Sequence, residues 1–216
     1  MPPASPYAVS RRALVAGVCP RKRATVLRWV YEVCAECRLT RDACHTSVNL
    51  FDRFVSLRRV SAAQLQLVAV TCIFIAVKVC DKDDRLSASE LREYTGGAVA
   101  SDRDIIEVES MVLNALGFMV TPRSAPTFMD VARTDHADAA YRLDVATLDP
   151  RYADYTPAAL AALVHAVAAR RAPANCPVWL LAGPAHVAPL PAARVSGDDR
   201  VMATVQTAHV NSMEMV

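Results

Sequence analysis

LQLVAVTCIFIAVKVC, from Leu65 to Cys80, is apolar nearly all round rather than along one stripe. A helix of that character is stable only when buried on every side. At 16 residues, interrupted by Gln66, Thr71 and Lys78, it is short and polar for a bilayer span. It is expected as the central helix of a soluble helical domain. Lys78 sits in its last turn, where the helix dipole favours a cation. That residue marks where core meets surface, so a functional surface is expected to begin there.

The rest of the chain agrees with a globular reading. Its 216 residues make one large domain or two small ones, with length enough for a real core. The apolar fraction is 53%, the net charge is +2, and only 6 glycines occur. That is not a disordered composition. The charge is too small to imply nucleic acid or membrane by itself. No apolar run follows a basic N-terminal segment, so no signal peptide is expected. The 7 cysteines are an odd number, and Cys34, Cys72 and Cys80 lie in apolar helical runs. A reduced, intracellular protein with buried thiols is expected.

Helices follow one another on both sides of the central one. Residues 1–19 carry several prolines and read as an arm, with a short helix over Ser10 to Val18. A helix from about Lys22 to Arg38 has Val26, Trp29, Val30 and Val33 on one face. Thr40 is a good cap for the next, through Leu57. Ser61-Ala62-Ala63-Gln64 has the form of a capping box that starts the central helix, and Ser87-Ala88-Ser89-Glu90 is a second, for a short helix ending near Tyr94. Ser101 caps a fifth helix to Leu116, with Gly117 in the stop position. No strand pattern competes. Beyond Pro122, helices are expected over 123–133, 138–148 and 157–171. Thr156-Pro157 starts the last of these. Prolines at 173, 177, 184, 189 and 191 forbid long helices afterwards, although one over 198–209 is compatible with the sequence.

Four segments resemble the cyclin box. They are Leu27-Arg28-Trp29-Val30-Tyr31-Glu32-Val33-Cys34; Asn49-Leu50-Phe51-Asp52-Arg53-Phe54-Val55-Ser56; Leu65 through Lys78; and Glu109-Ser110-Met111-Val112-Leu113-Asn114-Ala115-Leu116-Gly117-Phe118. Their order and gaps match too. Val33-Cys34 and Phe54-Val55-Ser56-Leu57 look most like D-type cyclins and the cyclins of gammaherpesviruses. Tyr152-Ala153-Asp154-Tyr155-Thr156-Pro157 is similar to part of a second cyclin box. The resemblance implies an all-α fold: a five-helix cyclin box over 20–121, then a reduced, divergent second helical region over 122–216, with a tail from 172.

The resemblance also implies sites. Arg23 and Asp52 match the pair inside the cyclin box, which would fix two helices relative to each other. Lys78 and Glu109 match the pair that reaches a kinase's regulatory helix, with Val79, Leu113, Phe118 and Val120 as apolar contacts. Opposite charges give an incoming helix its register while apolar neighbours supply affinity. Val79 departs from the aromatic usual in cellular cyclins. A substrate-docking patch is implied at Val26, Trp29, Glu32 and Gln66. There Lys22 and Thr25 stand where methionine and isoleucine are usual, so weak binding of Arg-x-Leu peptides is expected.

Other signals are weaker. Cys34-x-x-Cys37 near Cys44-His45 lies in a predicted helix, whereas structural zinc sites put such a pair on a turn. Cys44, His45 and Asp52 match a thiol hydrolase only in composition. Arg11, Arg12, Arg21, Lys22 and Arg23 read as a solvated basic arm. No Leu-x-Cys-x-Glu segment occurs. The expected function is therefore that of a regulatory subunit, not an enzyme, that binds and activates a cyclin-dependent kinase (a host kinase if the chain is viral). Substrates would be reached through the complex. No cofactor, nucleic acid or membrane partner is expected, and the expected location is nucleus and cytoplasm. A non-activating adaptor or decoy on the same fold, binding a kinase or a transcription partner, is the alternative.

Overall fold

The computed structural model describes residues 7–80, 86–121 and 137–181, and all regular structure there is helical. The expected segments 123–133 and 198–209 lie outside the described residues. In chain order the α-helices are α1 (Arg11–Gly17), α2 (Pro20–Glu36), α3 (Arg41–Leu57), α4 (Leu65–Cys80), α5 (Ala88–Glu93), α6 (Asp102–Ala115), α7 (Ala137–Leu148), α8 (Pro157–Ala168) and α9 (Val178–Leu181). Short 3-10 turns cover Ala62–Gln64 and Pro150–Asp154.

Local signals set most ends. Thr40 accepts from the Ala43 N–H at 3.2 Å. Ser87 with Glu90, and Ser101 with Asp104, form complete capping boxes. Thr156 caps α8 and Pro157 opens it. Ser61 behaves differently. Its hydroxyl donates to the Gln64 side chain at 2.8 Å, and α4 is entered through the 3-10 turn instead of a box.

α4 is the axis of the bundle. From Val68 to Val77 every residue is buried, because α2, α3, α5 and α6 pack around it. The continuous helical stretch Ala62–Cys80 is long and apolar enough to cross a membrane, but 61% of its most apolar window is buried inside the protein. The N-terminal helix is no loose arm: α1 packs on α3 and Leu14 has no exposed surface. Gly17 makes this possible, since a Cβ there would collide with the Val55 carbonyl.

α7 is shared by two apolar clusters. Val145 and Leu148 join the main core, while Ala139, Leu143 and Ala146 pack with Leu160, Val164 and Leu180 of the second. The second region therefore leans on the first through α7, and through the 3-10 turn Pro150–Asp154 against α1.

Candidate functional site

Lys78 leaves the last turn of α4 and Glu109 stands midway along α6. The Lys78 ammonium donates to both carboxylate oxygens of Glu109, at 2.8 and 2.9 Å. It also lies 3.8 Å from the centre of the Phe74 ring. The lysine side chain is 41% exposed and the glutamate 15%. The pair is thus organised by the fold yet reachable from outside.

The linker after α6 is held as tightly. Gly117 donates to the Asn114 carbonyl at 3.2 Å and Phe118 to the Leu113 carbonyl at 2.8 Å. Together these bonds form a Schellman stop. Gly117 and Phe118 both have φ of +58°. For a bulky residue that conformation is strained, and Phe118 nevertheless leaves 64% of its surface exposed. Leu113, Val79 and Val120 are half-buried against the main core.

Two contributors were not found from sequence. Arg53, beside Asp52, donates to the Met119 carbonyl at 2.7 Å and so ties the linker to α3. Burial lowers its pKa. An arginine inside so apolar a helix was the available signal. Ile106, 52% exposed, precedes Glu109 by three residues and Leu113 by seven, so it shares their side of α6.

The four residues of the implied patch lie on α2 and at the start of α4. Trp29 is buried, and Val26, Glu32 and Gln66 are half-buried. Lys22 and Thr25 are the exposed members of that face. The Thr25 hydroxyl turns back to the Arg21 carbonyl at 3.1 Å.

Arg23 and Asp52 join more than two helices. The guanidinium donates from Nε and Nη2 to the two carboxylate oxygens, at 2.8 and 2.7 Å. It also donates to the carbonyls of Leu148 and Thr147, at 2.9 and 2.7 Å. Those are orphan acceptors at the end of α7, so Arg23 caps that helix. The Tyr152 hydroxyl donates to Asp52 at 2.5 Å. Burial opposes the Arg23 cation, but the Asp52 charge outweighs it and raises its pKa. Burial first, and the Asp52 charge second, push the Tyr152 phenol well up. A second cross-region set stands nearby. Asp144 accepts from His45 Nε2 at 2.8 Å and from Arg41 at 3.0 Å. The Tyr31 hydroxyl meets Thr147 Oγ1 at 2.7 Å.

His45 and Asp52 are therefore engaged with different partners, and Cys44, His45 and Asp52 do not act as a unit. Cys34 lies against Cys44, whose hydrogen bond, together with burial, raises the Cys34 thiol pKa. Burial pushes Cys37 up to about 11. No group of three or more metal-ligating side chains converges among the described residues.

Comparison with known proteins shows the family and the fold. Residues 8–121 match the family described as Cyclin, N-terminal domain. The chain is 28% identical to the G1/S-specific cyclin-E of Drosophila melanogaster over 184 residues, covering 68% of this chain and 25% of that protein. It is 33% identical to Cyclin-A1-2 of Oryza sativa subsp. japonica over 58% of this chain and 27% of the relative. It is 29% identical to human G1/S-specific cyclin-D1 over 52% and 38%. The chain thus spans well under half the length of these relatives. In fold it is similar to the X-ray structure of a viral cyclin from herpesvirus saimiri, with a TM-score of 0.63 at 19% identity, covering 92% of this chain and 87% of that one.

Proposed function

The chain belongs to the cyclin family, and from that premise we propose that it is the regulatory subunit of a cyclin-dependent protein kinase. One observation carries the reading: an accessible, preformed Lys78–Glu109 pair beside an exposed and strained Phe118. A fold gains nothing for itself by holding an aromatic ring outward at positive φ. A partner helix laid on this face would gain both orientation from the charges and apolar contact from Ile106, Leu113 and Phe118.

In this reading the chain does no chemistry. It holds the kinase's regulatory helix inward, which completes the lysine–glutamate pair of the kinase active site and orders its activation loop. ATP and magnesium belong to the kinase. Nucleus and cytoplasm are the proposed places of action.

The test is a pull-down against a panel of purified cyclin-dependent kinases, followed by phosphorylation of a histone or retinoblastoma-type substrate. Wild type is expected to bind and activate at least one kinase, and Lys78→Ala/Glu109→Ala to do neither. Binding without activation would favour a non-activating adaptor. Binding to none would end the kinase reading.

A further inference from the structure

Four unsatisfied cations gather at one end of the bundle, away from the Lys78–Glu109 pair. α2 and α3 are joined by a short connection and run antiparallel, as the contact of Arg23 with Asp52 shows. α4 follows α3 after a brief turn and runs back along it. The start of α2, the end of α3 and the start of α4 therefore share one end. Lys78 lies twelve residues from Gln66 along α4, roughly 18 Å away.

At that end Arg21 and Lys22 open α2, and Arg58 and Arg59 leave α3. All four are exposed. None makes a salt bridge or side-chain hydrogen bond with another described residue. Among the described residues, the segments that carry these four cations hold no counter-charge of their own. No Asp or Glu occurs before Glu32, and none between Asp52 and Asp81. Asp52 itself is consumed by Arg23. Asp149 and Asp154, on the turn packed against α1, are engaged by Arg151 and Arg11. The N-termini of α2 and α4 add their positive dipole ends.

The patch is not purely ionic. Leu57, immediately before Arg58, is 62% exposed. Val26 lies one turn beyond Lys22, half-buried. We propose that this end is a docking surface for an acidic segment of a partner protein, anchored by an apolar residue on Leu57 and Val26. Charge complementarity selects the occupant. The same charges disfavour the cationic Arg-x-Leu segments that the family resemblance implies for the overlapping patch. Nucleic acid fits less well, because the net charge of the chain is only +2 and Trp29 is buried rather than offered for stacking. A membrane surface would want more than one strongly exposed apolar side chain.

The test uses the full chain and a fluorescein-labelled peptide of glutamates around two leucines, read by anisotropy at low and raised salt. Saturable, salt-sensitive binding is expected. Arg21→Glu/Lys22→Glu and Arg58→Glu/Arg59→Glu should each weaken it by about tenfold or more. A peptide with serines in place of the leucines should bind several-fold more weakly, and Arg171→Glu should change nothing. Circular dichroism checks folding, and Arg58→Gln/Arg59→Gln replaces any reversal that unfolds. Absence of binding at low salt, or indifference to the reversals or to the leucines, overturns the proposal. So does better competition by duplex DNA or by phosphatidylserine vesicles. Kinase binding through Lys78 and Glu109 is read separately and has no bearing on either result.

Discussion

Arg23 and Asp52 meet as a two-pronged pair with no exposed surface, and the same guanidinium closes the end of α7 through the carbonyls of Thr147 and Leu148. One side chain near the start of α2 thereby couples α2, α3 and α7, with Tyr152 covering the carboxylate. The two helical regions are welded at a point where neither charge can be removed alone.

Arg23→Ala would strand the Asp52 carboxylate and uncap α7. Breaking one side of a buried pair costs about 3–5 kcal/mol, which chemical denaturation can read directly. Arg23→Lys should recover only part, since an ammonium lacks the planar fork that serves carboxylate and carbonyls together. A cost under about 1 kcal/mol for Arg23→Ala would mean the network is not the weld described here.

Gly17→Ala should destabilise the chain by about 1–3 kcal/mol. The obstacle is the Val55 backbone carbonyl, which cannot swing aside as a flexible side chain would. Loosened α1 should appear as faster proteolysis at the N-terminal end. Unchanged melting and proteolysis would show that α1 tolerates a wider spacing.

The Lys78–Glu109 pair should separate stability from binding. Its members are partly solvated, so Lys78→Ala/Glu109→Ala should alter unfolding free energy by about 1 kcal/mol at most. Kinase affinity, measured by calorimetry, should fall by about 2–5 kcal/mol. The swap Lys78→Glu/Glu109→Lys should restore the internal pair but not the binding. Equal losses of stability and affinity would make the pair merely structural.

Phe118→Gly should have opposite effects on the two quantities. Glycine accepts φ of +58° without strain, so the free chain should be unchanged or firmer by about 1 kcal/mol. Kinase binding should weaken because the exposed ring is gone. If thermal melting instead drops sharply, the ring is supporting the fold.

Thiol chemistry should follow burial. Cys19 is exposed at the start of α2, and the N–H groups of Lys22 and Arg21 lower its pKa. A lowered value means more thiolate at neutral pH, hence faster alkylation. Burial pushes Cys37 up to about 11, and Cys72 is both fully buried and raised. Iodoacetamide at neutral pH, followed by peptide mass spectrometry, should mark Cys19 well before those two. Early labelling of Cys72 would contradict the central placement of α4.

Much of this was written locally. The all-round apolar character of α4, with Gln66, Thr71 and Lys78 as its polar breaks, reads as an interior helix, and the caps at Thr40, Ser87, Ser101 and Thr156, with Gly117 as a stop, work within one turn of chain. Reading them needs no knowledge of the fold. Ser61 shows the limit. Its spacing to Gln64 announces a helix start, but the choice between a capping box and a 3-10 entry depends on how the connection sits against the bundle.

The family resemblance named Lys78 and Glu109, while only packing set them 2.8 Å apart across 31 residues of sequence. An arginine inside an apolar helix is the one local sign of Arg53, and nothing in the spacing of the chain gives its bond to Met119, the place of Ile106 or the capping of α7 by Arg23. Each depends on elements brought together by the burial of apolar surface, which is non-directional and leaves no spacing rule in the chain. The sequence by itself determined which segments are helices and which of them lies at the centre. Tertiary structure decided which charges meet, because the Arg23–Leu148 contact spans 125 residues and exists only once α7 has docked.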